Sequence, residues 1–242
     1  MGELYLFLAI GLVAVLYSSV GHGGASGYLA IWMLYGLVPA EMRSSALILN
    51  IIVSGIAFTN YYLAQSTNLK KLVPFLLGSV PAAFLGALTE TSIPLYRMLL
   101  GAVLIIAVLR LLLSIRNNQY EIKDIPFIPA LLSGIGIGFL SGVIGIGGGI
   151  LLSPLLIVMR WASIKESACL SAAFILINSI SGFSGILITG LHVSNMMVVC
   201  ILVAFAGGLL GSSLGSRLFP ARVVKYTLVV VLLFASFKLL MA

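Results

Sequence analysis

The sequence predicts an all-α polytopic membrane protein made of two five-element inverted-topology repeats, each with a glycine-broken re-entrant or short helix hairpin. Three observations carry that expectation: an apolar composition, a ladder of apolar segments interrupted by one long polar stretch, and an ordered echo of glycines and polar residues between the halves. Of 242 residues, 61% are hydrophobic and 8% charged, with a mean hydropathy of +1.23, whereas a soluble domain carries about a quarter charged residues. That apolar surplus belongs in lipid. A helix needs about 20 apolar residues to cross the hydrocarbon core, so the length allows roughly eight to ten crossings and no soluble domain.

Charges, prolines and glycine clusters divide the chain into helical candidates at 4–20, 24–38, 44–65, 70–89 and 95–114, then 126–142, 147–160, 165–189, 194–214 and 221–241. The first, Leu4 to Val20, lacks the basic flank and small-x-small cleavage site of a signal peptide and is expected to remain as a helix. The polar stretch Ser114–Asp124 (S-I-R-N-N-Q-Y-E-I-K-D) separates five elements from five. The expected organisation is a single membrane domain over 1–242, with a first repeat at 1–115, a cytoplasmic linker at 116–125 and a second repeat at 126–242.

The halves echo each other in order. Gly21–Gly24 (G-H-G-G) parallels Gly145–Gly148 (G-I-G-G), and Asn50 parallels Asn178, each soon followed by Ser-Gly at Ser54–Gly55 and Ser181–Gly182, at an offset of 124 to 128 residues. Leu85–Gly86 matches Leu210–Gly211, and Ile93–Pro94 matches Phe219–Pro220. Ordered matches across a whole half point to duplication. Because each half has an odd number of elements, the second enters the membrane from the opposite side. A simple zigzag then places Lys70, Lys71, Arg110, Arg116, Lys123, Arg160, Lys165, Arg217, Arg222 and Lys225 on one side, and Arg43, Arg97 and Lys238 on the other. The positive-inside rule puts the richer side in the cytoplasm and both termini outside. The same rule accounts for the net charge of +7, so the expected partner is the lipid bilayer and not a nucleic acid.

The elements at 24–38 and 147–160 are too short to cross a bilayer comfortably and read as half-membrane helices. Broken backbone at that depth is tolerated only where it is buried in protein or lines an aqueous cavity. Gly21, Gly23 and Gly24 in one half, and Gly145, Gly147, Gly148 and Gly149 in the other, would free backbone N–H groups and aim the positive ends of helices into that cavity, which is an anion site. Gly207, Gly211 and Gly215, four apart, read as helix-packing residues. All six carboxylates, Glu3, Glu41, Glu90, Glu121, Asp124 and Glu166, fall in loops or at helix ends. A cation path usually needs one at mid-membrane, so an anion or neutral solute is expected. A negative interior drives anions outward by about 2.3 kcal/mol per charge per 100 mV, so export needs no coupling ion.

Polar residues at helix depth complete the candidate site. They are Ser18, Ser19, His22 and Ser26 in the first half, Ser141 and Ser153 in the second, and Asn50, Ser54, Asn178 and Ser181 on the long helices that follow. Each Ser or Asn can instead make an interhelical hydrogen bond worth about 1 kcal/mol. His22, whose counterpart is Ile146, could add a proton-dependent charge near neutral pH or stay neutral and hydrogen-bonded.

Other classes fit less well. Cys169 and Cys200 stand alone in apolar runs, with no metal or disulfide pattern. Gly136, Gly138 and Ser141 imitate a dinucleotide fingerprint only loosely, with no strand before them, and no cofactor is expected. Gly182–Gly185 (G-F-S-G) resembles the rhomboid serine motif, but the only later histidine, His192, is eight residues on, too near for the dyad. No enzyme activity is expected. A channel is the alternative, because inverted repeats with paired half-helices also build pores.

The duplicated pattern resembles the sulfite exporter TauE/SafE family, also called the toluene-sulfonate uptake permeases. The resemblance spans nearly the whole chain: a first helix running into Gly21–Gly24, the partner cluster Gly145–Gly149, a Pro39-Ala40 turn before the third helix, and Asn50 and Asn178. His22 departs from the commoner form of the first cluster. The resemblance implies transport of sulfur oxyanions or organosulfonates, such as sulfite or sulfoacetate, across the cytoplasmic membrane.

Overall fold

The computed structural model describes residues 2–34, 39–89, 121–191 and 196–220, with single helical positions between 95 and 109 and between 223 and 237. Among the described residues all regular structure is helical. In order these are α1 (Gly2–Ser18), α2 (Ala25–Leu34), α3 (Pro39–Ala64), a 3-10 turn (Leu69–Leu72) leading into α4 (Val73–Ala87), α5 (Phe127–Ile144), α6 (Gly149–Val158), α7 (Ile164–Thr189) and α8 (Met196–Ser213), which continues through a π turn (Leu214–Leu218). Apart from those single positions, the helices expected at 95–114 and 221–241 lie outside the described residues, as does His192.

Five of the described helical stretches are long and apolar enough to cross a membrane: α3, the 3-10 turn with α4, α5, α7, and α8 with its π turn. These helices and the shorter α1 expose large apolar side chains. On α1, Leu4, Leu8 and Leu12 are each 61% exposed, and Leu132, Ile135 and Phe139 project from α5 in the same way. In water such faces would drive aggregation, whereas hydrocarbon matches them. α2 and α6, ten residues each, rise about 15 Å, only half the hydrocarbon thickness.

One boundary differs from expectation. The third helix begins at Pro39, so the Pro39-Ala40 pair is its first turn and not a turn before it, as the charges at Glu41 and Arg43 had suggested. A proline there is compatible with helix because the N–H it lacks has no intrahelical partner at that position anyway.

Packing runs between the halves. α5 lies along α4, with Gly134, Gly138 and Gly142 seated on the backbones of Phe75, Ser79 and Ala83. α8 lies along α1, with Gly207, Gly211 and Gly215 on Gly11, Val15 and Ser19. Lipid supplies no hydrophobic drive between helices, so close backbone approach and the dispersion it brings hold such seams together. α3 and α7 form the third large contact. These last two are both 26 residues long, with starts and ends 125 apart, and α2 and α6 are both ten residues long and 124 apart.

Polar anchoring occurs at the ends. Ser163 and Glu166 form a capping box at the start of α7, and the Glu166 carboxylate accepts from Lys71 Nζ at 2.8 Å, tying the turn before α4 to α7. Lys123 in the linker donates its backbone N–H to the Arg160 carbonyl at 2.8 Å.

Candidate functional site

Both glycine clusters interrupt helix. After α1, the Gly21 and His22 N–H groups turn back onto the Ser18 and Tyr17 carbonyls at 3.0 and 2.8 Å. After α5, Gly145 and Ile146 turn back onto the Ser141 carbonyl at 2.7 and 3.3 Å. Gly21 and Gly145 adopt left-handed φ values of 78° and 85°, and Gly24 and Gly148 do so at 92° and 77°. Glycine takes that conformation without penalty, which is why a helix can end and another begin within six residues. Each new helix then starts alike: Gly27 and Tyr28 donate to Gly24, and Leu151 and Leu152 to Gly148.

The two loops meet at Asn50 of α3, which is fully buried. Its Oδ1 accepts from the Ala25 N–H, the first of α2, at 3.1 Å. A Cβ on Gly23 would strike this amide, and a Cβ on Gly147 would lie 3.0 Å from its Nδ2. The same point beside Gly147 is 2.6 Å from Ser179 Oγ, and a Cβ on Gly148 would strike Ser141 Oγ. Asn50 Nδ2, Ser179 Oγ and Ser141 Oγ are all buried and have no hydrogen-bond partner among the described residues. Three groups able to donate therefore converge on the second loop. A buried unpaired donor costs about 1–3 kcal/mol, and an acceptor at that loop would satisfy these three.

His22 leads from the first loop into the second half. Its Nε2 and Ser153 Oγ of α6 are 2.9 Å apart, Ser153 Oγ donates to Ser171 Oγ of α7 at 2.6 Å, and Ser167 Oγ donates to the Ser153 carbonyl at 3.2 Å. His22 also lies beside the Gly149 backbone. Gly21 rests on the Ala168 backbone, while Gly145 stands near Arg43, 3.5 Å from its Cα at the nearest Cβ approach.

The other expected residues are placed as follows. Ser26 is bound to Tyr17 OH at 2.9 Å, and Gly24 packs on the Tyr28 ring. Gly149 packs on Ile175. Ser54 is buried, with no hydrogen-bond partner among the described residues. Asn178 donates from Nδ2 to the Phe174 carbonyl of its own helix at 2.9 Å, and its Oδ1 is unpaired among the described residues. Ser181 donates to the Val80 carbonyl of α4 at 2.6 Å, an interhelical bond away from the loops. Ser18 and Ser19 turn back onto Val15 and Leu16 of α1.

Sequence reasoning missed Ser179, and the register of α3 and α7 explains the omission. Their matching ends align Asn50 with Ile175 and Ser54 with Ser179, a shift of 125 residues, whereas pairing the two asparagines implies 128. It also missed Arg43 as more than a surface charge. The Arg43 guanidinium donates from Nη2 to the Ala87 and Gly142 carbonyls at 3.1 and 3.0 Å, binding the C-terminal ends of α4 and α5. The described carboxylates, Glu3, Glu41, Glu121, Asp124 and Glu166, lie in first helical turns or in the linker.

Several known proteins resemble the chain along most of its length. The chain is 30% identical over 239 residues to a protein described as a "Probable membrane transporter protein y4hK" of Sinorhizobium fredii, covering 97% of both chains. It is 24% identical to the "Probable membrane transporter protein YunE" of Bacillus subtilis, over 94% of both, and 25% identical to YdhB of the same organism, described in the same words, over 92% of this chain and 94% of that one. No solved structure is a significant match. The profile of the sulfite exporter TauE/SafE family matches residues 6–239, and the chain belongs to that family of membrane transporters.

Proposed function

We propose that the chain is a secondary transporter of small anions across the cytoplasmic membrane, with sulfite or organosulfonates as substrates and export as the favoured direction. The observation that carries this reading is the convergence of unpaired neutral donors, Asn50 Nδ2, Ser179 Oγ and Ser141 Oγ, on a helix-opening glycine loop buried in the protein. Donors without fixed charge attract an anion yet release it, as a carrier requires. The described carboxylates stand apart from this pocket, which disfavours a cation. The family name supports sulfur oxyanions.

In this reading the chain has two oppositely oriented halves, 1–115 and 126–242, with both termini outside. The corresponding lengths and loop geometries support it. The anion sits where the glycine hairpins meet, beside Asn50, Gly147 and Gly148, and rocking of one half against the other exposes it alternately. Gly21, Gly24, Gly145 and Gly149 shape the turns, while His22 joins the hairpins.

Flux through proteoliposomes under a set potential tests this. Radiolabelled sulfite and methanesulfonate should move faster than acetate, and faster with the anion-loaded side negative. Equal rates with empty liposomes for all three would end the reading.

A further inference from the structure

We infer that the anion is held at the second glycine loop alone, and that Asn50 sets this asymmetry by filling the first loop's anion position with its own carbonyl oxygen while presenting its N–H group to the second. The inference rests on the reading of the chain as an anion transporter.

The two hairpins match at Gly21 and Gly145 and again at Gly24 and Gly148, all left-handed, and differ at Gly147, whose φ of 70° Gly23 does not share; each then opens a helix, at Ala25 in one and at Gly149 in the other. At the first, the N–H of Ala25 already has an acceptor, Asn50 Oδ1 at 3.1 Å. An amide oxygen there does what a bound anion would do, satisfying a helix N-terminus. A Cβ on Gly23 would collide with that amide, so the Gly23 backbone lies directly against the cap.

At the second, the residue in register with Asn50 is Ile175, which packs on Gly149 and has no acceptor to offer. The N-cap of α6 is Gly148, with no side-chain cap. Leu151 and Leu152 donate to Gly148, which leaves Gly149 and Ile150 as the helix-opening N–H groups with no intrahelical acceptor. Around this start stand the unpaired Asn50 Nδ2, Ser179 Oγ and Ser141 Oγ, each at most 1% exposed. The residue corresponding to Ser141 is Tyr17, whose hydroxyl is already engaged with Ser26. The first helix start is therefore capped by Asn50, although His22 Nδ1 and the Tyr28 hydroxyl beside it have no partner among the described residues, whereas the second start has no cap and is lined with donors that lack an acceptor.

Because an amide has one accepting and one donating end, its orientation is fixed by the Ala25 bond, and the N–H end must face Gly147. The second site accordingly selects a compact oxyanion whose several oxygens accept from backbone and side-chain donors together. Sulfite and the sulfonate head group share that chemistry, and binding of each separates the free ion from the organic form.

The test is equilibrium dialysis of radiolabelled sulfite and methanesulfonate against the purified full-length chain in detergent. Asn50→Asp keeps an oxygen for Ala25 but turns the other end into an anionic acceptor, and it should weaken binding by at least about 100-fold, as removal of a charge-assisted bond and its replacement by repulsion require. Ser141→Ala and Ser179→Ala should each weaken it about 5- to 20-fold, the loss of one hydrogen bond. Tyr17→Phe, at the corresponding place in the first hairpin, should stay within about twofold, since no bond to the anion is lost. Normal binding by a folded Asn50→Asp variant overturns the inference, as does a loss in Tyr17→Phe equal to that in Ser141→Ala, which would mean that both loops hold anion. If Asn50→Asp fails to elute as a single species on gel filtration, the serine and tyrosine variants decide on the same criteria. Wild-type chain that binds and moves neither anion defeats the transporter reading itself, whereas wild-type flux with unaltered variants defeats only the one-sided site.

Discussion

Asn50 shows how one side chain can join two halves of a membrane protein. It sits on α3, yet it caps α2 and faces the loop before α6. The sequence made Asn50 a candidate as a polar residue at helix depth with an apparent counterpart, Asn178, in the second half. Its partner was harder to read. Matching Asn50 with Asn178 followed residue identity, whereas helix ends align it with Ile175, and Ser179 went unnoticed for that reason. Ser181 was equally visible in the sequence but spends its hydroxyl on Val80. Residue type locates a polar group in a helix, but only the register says which neighbour it meets. Gly23 and Gly147 test this scale. Gly147, with φ 70°, has to leave its left-handed conformation or bear about 1–2 kcal/mol of strain once a Cβ is added, and that Cβ also crowds Ser179 and Ile175. Gly23→Ala meets no such backbone penalty, so its effect isolates the displacement of Asn50. Both variants should cut the initial rate of labelled sulfite flux at least about tenfold, the equivalent of 1.4 kcal/mol, while eluting as the wild type does. Undiminished flux in Gly23→Ala would separate the Asn50 amide from transport.

At the scale of elements, the glycine seams between α4 and α5 and between α1 and α8 do the work that a hydrophobic core does in water. Gly207, Gly211 and Gly215 were legible as packing residues from their spacing of four, and Gly142 extends the same logic to α5. A side chain at Gly142 would strike the Ala83 carbonyl, and backbone cannot rotate aside, so the helices must separate. Gly136 lies on the outer face of the same helix with nothing near it. Gly142→Val should therefore lower stability by about 2–4 kcal/mol. Gly136→Ala should be neutral or stabilising by up to about 1 kcal/mol through helix propensity. Thermal unfolding in detergent compares them, and equal melting points would remove the seam from the account. Helix ends were legible to within a few residues where glycine or charge marks them. The start of α3 was not, because proline and two charges are as acceptable in a first helical turn as in a loop.

For the whole molecule, composition alone placed the chain in the bilayer, and the exposed leucines of α1 and α5 agree. The direction of insertion rests on the distribution of lysine and arginine, which predicts that Lys70, Lys71 and Arg160 face the cytoplasm. The Lys71–Glu166 pair and the linker bond from Lys123 to Arg160 gather those charges at one end of the described bundle. Single cysteines placed at Asn68 and Asn118 in a Cys169→Ala, Cys200→Ala background should be shielded from an impermeant thiol reagent in intact cells and react once the membrane is opened; labelling in intact cells would invert the topology. A pocket that carries the anion alternately to each side has counterflow as its signature. Proteoliposomes preloaded with unlabelled sulfite and diluted into a trace of labelled sulfite, with the potential clamped at zero, should accumulate label transiently above its external concentration. Label that only equilibrates, at the same rate with or without the preload, would mean an open pore and contradict the account.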